Sequence, residues 1–260
     1  MKYFVVDAFA ENIFGGNPAG VCVLEKPLST ETMQKIAAEN NLSETAFVYK
    51  KEVGKYDLKW FTPMVEIDLC GHATLGTAYV VAHFVDTEVE EMEFFTLSGT
   101  LNVVRDGDLF KMDFPSRKPQ EVPVTEKIID AIGVKPVAAY LSRDLILELE
   151  DGKSVKELNP DFHKVLELED GLGLVVTAKD KEYDFVSRCF FPKLGVNEDP
   201  VTGSAHSSLI PFWAEKLRKQ TLIAKQVSKR GGVLNCMDGG ERVYISGGVV
   251  LYLKGEIFIR

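Results

Sequence analysis

Charged and apolar positions alternate unevenly along the chain, and the uneven places predict its elements. Two long stretches carry no Asp, Glu, Lys or Arg: Leu69 to Val85, 17 residues, and Pro200 to Ala214, 15 residues. A helix on a protein surface shows charge on every turn. These two runs therefore predict helices buried on nearly all sides. Strands to bury them are read at Val5-Val6, Val21-Cys22-Val23-Leu24, Ala46-Phe47-Val48, Leu174-Val175-Val176 and Val249-Val250-Leu251, all rich in β-forming residues. A surface helix is expected from Glu31 to Asn40, capped by Ser29 or Thr30 and ended by Asn40-Asn41. A shorter one is expected from Glu126 to Ile132. Gly15 to Gly20 reads as a wide turn between strands, with a loop lining a cleft as the alternative. It lacks the Gly-Lys-Ser/Thr of a P-loop.

The pattern repeats at half length. Lys59-Trp60-Phe61-Thr62-Pro63 leads through Glu66 and Asp68 to Cys70-Gly71-His72-Ala73. Arg188-Cys189-Phe190-Phe191-Pro192 leads through Glu198 and Asp199 to Thr202-Gly203-Ser204-Ala205. The offset is 129 for the Phe pair and 132 for the Gly pair. A second match follows at an offset of 133, where Gly99 and Gly232 each open a hairpin that turns at Asp106-Gly107 or Gly239-Gly240. Two matches in the same order argue for a duplicated unit. The expected architecture is α+β: two similar lobes, each a curled sheet around one central helix. The boundary is placed near the prolines of Phe114 to Pro119. That gives an N-terminal lobe of residues 1–117, completed by 249–260, and a C-terminal lobe of 118–248.

Composition narrows the function classes. Thirty Lys and Arg against 39 Asp and Glu leave a formal charge of -9, with no basic cluster interleaved with aromatics. Nucleic acid and anionic membrane are therefore not expected as partners. No apolar run reaches the roughly 18–20 residues that span a bilayer, and the first residues do not form a signal peptide. Cys22, Cys70, Cys189 and Cys236 lie far apart without a CxxC pair, which suits a reduced cytoplasmic protein and offers no metal motif. Nothing in the chain calls for a cofactor.

The candidate chemistry gathers at the starts of the two inner helices. Helix N-termini expose unpaired N–H groups at the positive end of the helix dipole. Gly71 and Gly203 stand there, and with the lobes face to face both starts would hold a carboxylate in one cleft. Ser204 and His72 would add donors. The same glycines would also simply let the helices pack closely. Glu44, between a helix end and a strand start, is a candidate general acid or base; Asp199, tied by sequence to the second helix start, is another, and with His72 the three are the expected catalytic residues. A Cys70/His72 nucleophile–base dyad is not expected, because the two are too near in sequence. His83, His163 and His206 show no ligand spacing. Phe14, Tyr79, Phe190 and Trp213 could wall an aromatic substrate, though each reads better as core.

Together these residues resemble the PhzF-like (phenazine biosynthesis) family. The resemblance rests on Val6-Asp7-Ala8-Phe9, Gly16-Asn17-Pro18-Ala19, Leu42 to Phe47, and Cys70-Gly71-His72-Ala73-Thr74-Leu75-Gly76. It continues through Glu198 to His206 and Gln226 to Gly232. It implies a diaminopimelate epimerase-like fold, with two pseudo-symmetric lobes, each a β-barrel-like sheet wrapped around a buried helix. It also implies a cofactor-free isomerase acting on a small carboxylate, often a homodimer. The family's proton-moving glutamate matches Glu44, and its other site residues match His72, Asp199 and Ser204. Gly71 and Gly203 would supply N–H groups, with Cys70 and Thr202 beside them. Related racemases use two thiols. Here the second position is Thr202, whose hydroxyl cannot serve as a base at neutral pH. Two alternatives remain: a Cys70-dependent racemase or epimerase of an amino or hydroxy acid, and a non-catalytic small-molecule binder on the same fold.

Overall fold

The computed structural model describes residues 1–259. Two compact units are present. Unit 1 runs from Met1 to Asp113 and resumes at Ser246; unit 2 is Phe114–Ile245. The chain leaves unit 1 before the prolines at 115 and 119, because Pro115 ends a strand that begins in unit 1. It returns earlier than residue 249, inside a single long strand.

The first part of the chain forms β1 (Lys2–Ala8), β2 (Asn17–Leu24), α1 (Thr30–Asn40), β3 (Glu44–Glu52), β4 (Lys55–Phe61), β5 (Glu66–Ile67), α2 (Gly71–Phe84), β6 (Glu91–Thr96), β7 (Gly99–Asp106) and β8 (Leu109–Pro115). Next come β9 (Gln120–Val122), α3 (Glu126–Ile132), β10 (Ala138–Leu141), β11 (Leu145–Glu148), α4 (Gly152–Glu157), α5 (Phe162–Leu166) and β12 (Leu174–Lys179). The remainder is β13 (Phe185–Phe191), β14 (Val196–Asp199), α6 (Gly203–Leu217), β15 (Thr221–Gln226), β16 (Gly232–Asp238) and β17 (Arg242–Glu256).

In unit 1 the strands pair in the order β1, β2, β3, β4, β6, β7, β8. Strand β17 pairs with both β8 and β1 and closes the ring. Closure leaves no open edge for a foreign strand. In unit 2 the sequence β9, β10, β11, β12, β13, β15, β16 repeats the same alternation. The antiparallel pairs β1–β2, β3–β4 and β6–β7 correspond to β10–β11, β12–β13 and β15–β16. The parallel pairs β2–β3 and β4–β6 correspond to β11–β12 and β13–β15.

The repeat extends to side chains. Lys59 pairs with Glu66 at 3.0 Å, and Arg188 with Glu198 at 2.6 Å. Ser98 donates to the Asp68 carbonyl and Ser228 to the Pro200 carbonyl, both at 2.8 Å. Each strap fixes the chain two residues ahead of an inner helix's cap residue.

Both inner helices are buried as their lack of charge requires. In α2, His72 to Ala78 and Val80 to Ala82 are buried, and α2 lies against β1, β2 and β3. A Cβ on Gly76 would stand 2.6 Å from Val6 Cγ2, so glycine sets that approach. In α6, Gly203 and Ala205 to Ala214 are buried. Pro211 has no N–H for the Ser207 carbonyl four residues back. The Arg117 N–H takes that carbonyl instead, at 2.9 Å. The surface helix α1 has Ser29 as N-cap and left-handed Asn41 at its end, and α3 is capped by Thr125 and ended by left-handed Gly133. Among the described residues, no helix is long and apolar enough to cross a membrane.

Candidate active site

In unit 1 the start of α2 gathers four residues. Glu44 opens β3 and lies across from Ala19 of β2. Its Oε2 is 3.0 Å from His72 Nε2, and the two side chains are 18% and 8% exposed. Oε2 is buried and accepts no directed hydrogen bond from the described residues, so its contact with His72 is a close charge pairing rather than an in-line bond. Cys70 is the N-cap of α2, and its Sγ lies 3.6 Å from His72 Nδ1 and 3.9 Å from Nε2. The fourth member is Asn17, fully buried, with Nδ2 3.3 Å from His72 Nδ1. Roles in this contact follow the charge on His72, since a protonated imidazole carries N–H on both nitrogens and accepts at neither.

Asn17 is placed by the turn before it. Gly16 has φ 60°, and a Cβ there would lie 2.2 Å from the Ala8 carbonyl oxygen. The turn expected over Gly15–Gly20 therefore ends at Gly16, and Asn17–Gly20 already belong to β2. Neighbouring Asp7 accepts the Phe14 N–H at 2.9 Å.

Electrostatics separates the members of this group. Burial pushes the Cys70 thiol upward, more than its His72 contact lowers it. Burial alone would depress His72. The negative charges at Cys70 and Glu44 outweigh it and hold the imidazole well above its usual range. With the thiol protonated at neutral pH, we assign this upward hold to Glu44. Cys70 and His72 touch because two residues, about half a helical turn, separate the cap from the second helical residue. The Cys70 thiol is nevertheless ill placed to ionise.

One ligand atom each from Glu44, Cys70 and His72 falls within 4.8 Å of the others. A thiol–imidazole–carboxylate set suits zinc by donor type. As held here, however, both imidazole nitrogens are engaged, and the set lies at the positive end of α2, which favours an anion over a cation.

Unit 2 builds its helix start from amides and hydroxyls. Thr202 caps α6 in backbone geometry and donates its hydroxyl to Asp199 Oδ2. Gln226, fully buried at the end of β15, accepts the Thr202 N–H at 2.8 Å and donates to the Asp199 carbonyl at 2.7 Å. Gly203 and half-buried Ser204 open the helix. Among the described residues, neither Cys70 nor Thr202 makes a side-chain cap bond to its helix. Instead each cap carbonyl is taken from within the helix. Thr74 Oγ1 donates to the Cys70 carbonyl at 2.6 Å, and His206 Nδ1 reaches the Thr202 carbonyl at 2.8 Å. Burial lowers His206 to about 4, so it is a neutral imidazole with its proton on Nδ1.

Each unit thus collects its own share of the residues named from sequence: Glu44, Cys70, Gly71 and His72 in one, Asp199, Thr202, Gly203 and Ser204 in the other. Asn17 and Gln226 were not singled out by their chemistry. Their one signal was membership of two of the motifs that carry the family resemblance. Of the aromatic candidates, Phe190 and Trp213 are core, whereas Phe14 is 64% exposed. It sits at φ 72° in the β1–β2 turn, where the backbone aims it away from any core.

Comparison with known proteins fits these observations. The sequence profile of the phenazine biosynthesis-like protein family, PhzC-PhzF, matches residues 6–255. A Pseudomonas aeruginosa protein named "Uncharacterized isomerase PA2770" is 48% identical, over 100% of this chain and 99% of its own. The crystal structure of a PhzF family protein from Enterococcus faecalis is 49% identical, covers 99% of both chains and superposes with a TM-score of 0.97. A probable proline racemase from Agrobacterium radiobacter, 7% identical, shares the fold alone, with a TM-score of 0.66 over 100% of this chain and 93% of its own. The fold is therefore α+β and diaminopimelate epimerase-like, with barrel-like sheets wrapped on buried central helices. The chain belongs to the phenazine biosynthesis-like family and, with it, to the isomerases.

Proposed function

We propose that this isomerase moves a proton between carbons of a small carboxylate-bearing metabolite, using its own side chains and no cofactor. The observation that supports it is Glu44 Oε2, buried and 3.0 Å from His72 Nε2 at the start of α2. A carboxylate oxygen in that position can take a proton from carbon and return it to another. Glu44 carries that proton between the two transfers, with the His72 imidazole, held above its usual range, alongside it. Asn17, at His72 Nδ1, holds the ring in place. The first N–H groups of α2, from Gly71 onward, suit the substrate's carboxylate. Gly203 and Ser204 of α6, with Thr202 and Asp199, are proposed as further substrate contacts. General acid–base action of this kind is worth about 10²–10⁴-fold.

A thiol-based racemase is less well supported. Burial raises the Cys70 thiol, and the matching position in unit 2 is a hydroxyl already donating to Asp199. The proposal includes a cytoplasmic homodimer, which sedimentation of the purified protein checks. The reaction is tested by incubating the protein with small unsaturated and cyclic carboxylates in deuterated water. Deuterium is expected in the recovered acid with wild type and with Cys70→Ser, and to be lost with Glu44→Gln. Loss with Cys70→Ser and retention with Glu44→Gln would transfer the role to the thiol.

A further inference from the structure

The internal repeat allows each place in unit 1 to be compared with its counterpart in unit 2, and one place differs in content. Unit 1 has a recess of about 210 Å³ floored by Leu24, Met33, Phe47 and Leu58 and rimmed by Lys59 and Leu97. The floor is buried and apolar, while Leu97 is 67% exposed. The strand registers identify the matching positions. Lys59 corresponds to Arg188 through the Phe61/Phe190 repeat. The β4–β6 and β13–β15 ladders then match Asp57 with Val186 and Leu97 with Val227.

In unit 2 the first two of these positions, Arg188 and Val186, are covered by α4, with Val227 at the edge of the same hydrophobic cluster. Arg188 Nη1 donates to the Leu158 carbonyl at 2.6 Å and to the Val155 carbonyl at 3.3 Å, at the end of that helix. Val186 lies under Gly152, where an added Cβ would come within 3.2 Å of Val186 Cγ2. Val227 packs on the cluster that contains Val155 and Leu158. The Arg188 side chain is 13% exposed, whereas that of Lys59 is 40% exposed. Helix α1, the only connection between β2 and β3, lies beside the recess and contributes Met33 to its floor without covering it.

We propose that the recess is a docking site for one turn of an amphipathic helix from a partner protein. Two apolar side chains of that turn enter between Phe47, Leu58 and Leu97, and its C-terminal carbonyls accept from Lys59, as α4 does on the equivalent surface of unit 2. Lys59 keeps its pairing with Glu66 in this arrangement, as Arg188 keeps Glu198 while donating to carbonyls. The partner surface is thus apolar and acceptor-rich, and uncharged where it meets the lysine.

The probe is a capped synthetic peptide with this chain's own sequence from Leu149 to Pro160, added to the intact isotope-labelled protein. Expected are saturable NMR shifts at Leu24, Met33, Phe47, Leu58 and Leu97. Carrying Asp at both the Val155 and Leu158 positions of the peptide should abolish them, and Lys59→Met should weaken them several-fold. Leu97→Asp, at an exposed site that leaves the floor intact, should remove binding without changing the protein's melting temperature. The proposal is overturned if millimolar peptide leaves those resonances unmoved, or if the doubly substituted peptide shifts them equally. It is also overturned if Leu97→Asp converts a dimer to a monomer, which would assign the recess to a second copy of this chain.

Discussion

The two inner helices begin on the same scaffold and end in different chemistry. Both follow a β-strand pair braced by a basic–acidic bridge, a serine strap and a cap residue whose carbonyl is claimed four residues on. In unit 1 the cap neighbourhood is Cys70, His72 and Glu44, three groups that can exchange protons. In unit 2 the matching positions of Cys70 and His72 are Thr202 and Ser204, and Gln226 ties the turn together. Glu44 corresponds through the strand registers to Gly173, where a Cβ would meet the Phe191 ring at 2.2 Å. The difference teaches that duplication fixed the backbone donors twice, while a thiol, an imidazole and a carboxylate meet only in unit 1 and the Asp199 carboxylate of unit 2 is engaged by Thr202. A symmetric pair of bases has no seat in unit 2.

The sharpest way to break this comparison is activity. Glu44→Gln preserves shape but cannot ionise, and turnover should fall about 10²–10⁴-fold. Ser204→Ala, which removes one donor, should fall less in kcat and show mainly in KM. Equal losses, read by steady-state kinetics once a substrate is in hand, would abolish the asymmetry. Next in size is Gln226→Leu. It removes the acceptor of the buried Thr202 N–H, and should cost about 1–3 kcal/mol in denaturant unfolding.

The two histidines should titrate on opposite sides of the ordinary value near 6.5. His206, lowered to about 4 by burial, stays neutral in the folded protein while the unfolded chain binds a proton. Its stabilising effect is complete above about 6.5 and is lost as pH falls from there through about 4. His72 behaves in the reverse sense. Held above its unfolded value, it contributes fully below about 6.5 and loses that contribution as pH rises through its folded value. Unfolding midpoints against pH for wild type, His206→Asn and His72→Asn should separate the two slopes. Matching slopes would show that the buried environments do not differ. The smallest expected effect belongs to Cys70→Ser, which should keep turnover within several-fold of wild type, because a thiol raised by burial keeps its proton at neutral pH and offers no thiolate base.

Much of this was legible in the residues. Ser29 and Asn41 bound α1 because a hydroxyl cap and a left-handed asparagine are local signals, and α3 spans the expected Glu126 to Ile132. The charge-free runs marked α2 and α6 because burial forbids unpaired charge. Glu44, Gly71 and His72 were found because their motifs sit at element boundaries. Asn17 and Gln226 could not be found this way. A buried amide acts through what it faces, and its facing residues lie 55 and 24 positions away. The helices α4 and α5 escaped notice because five or six residues are too few to show a period. Phe14 misled because an aromatic residue signals core only when its backbone turns it inward.

Strand β17 imposes an order of assembly. Unit 2 is one unbroken stretch and can collapse as soon as it is made. The ring of unit 1 joins Lys2 to Glu256, a contact across nearly the whole sequence, whose chain-closure cost falls late. Until that strand arrives, β1 and β8 each expose an unmated edge. During synthesis, the half that carries the proposed proton-transfer group is therefore the last to become safe from sticking to its neighbours, and a slow or truncated finish should show first as aggregation.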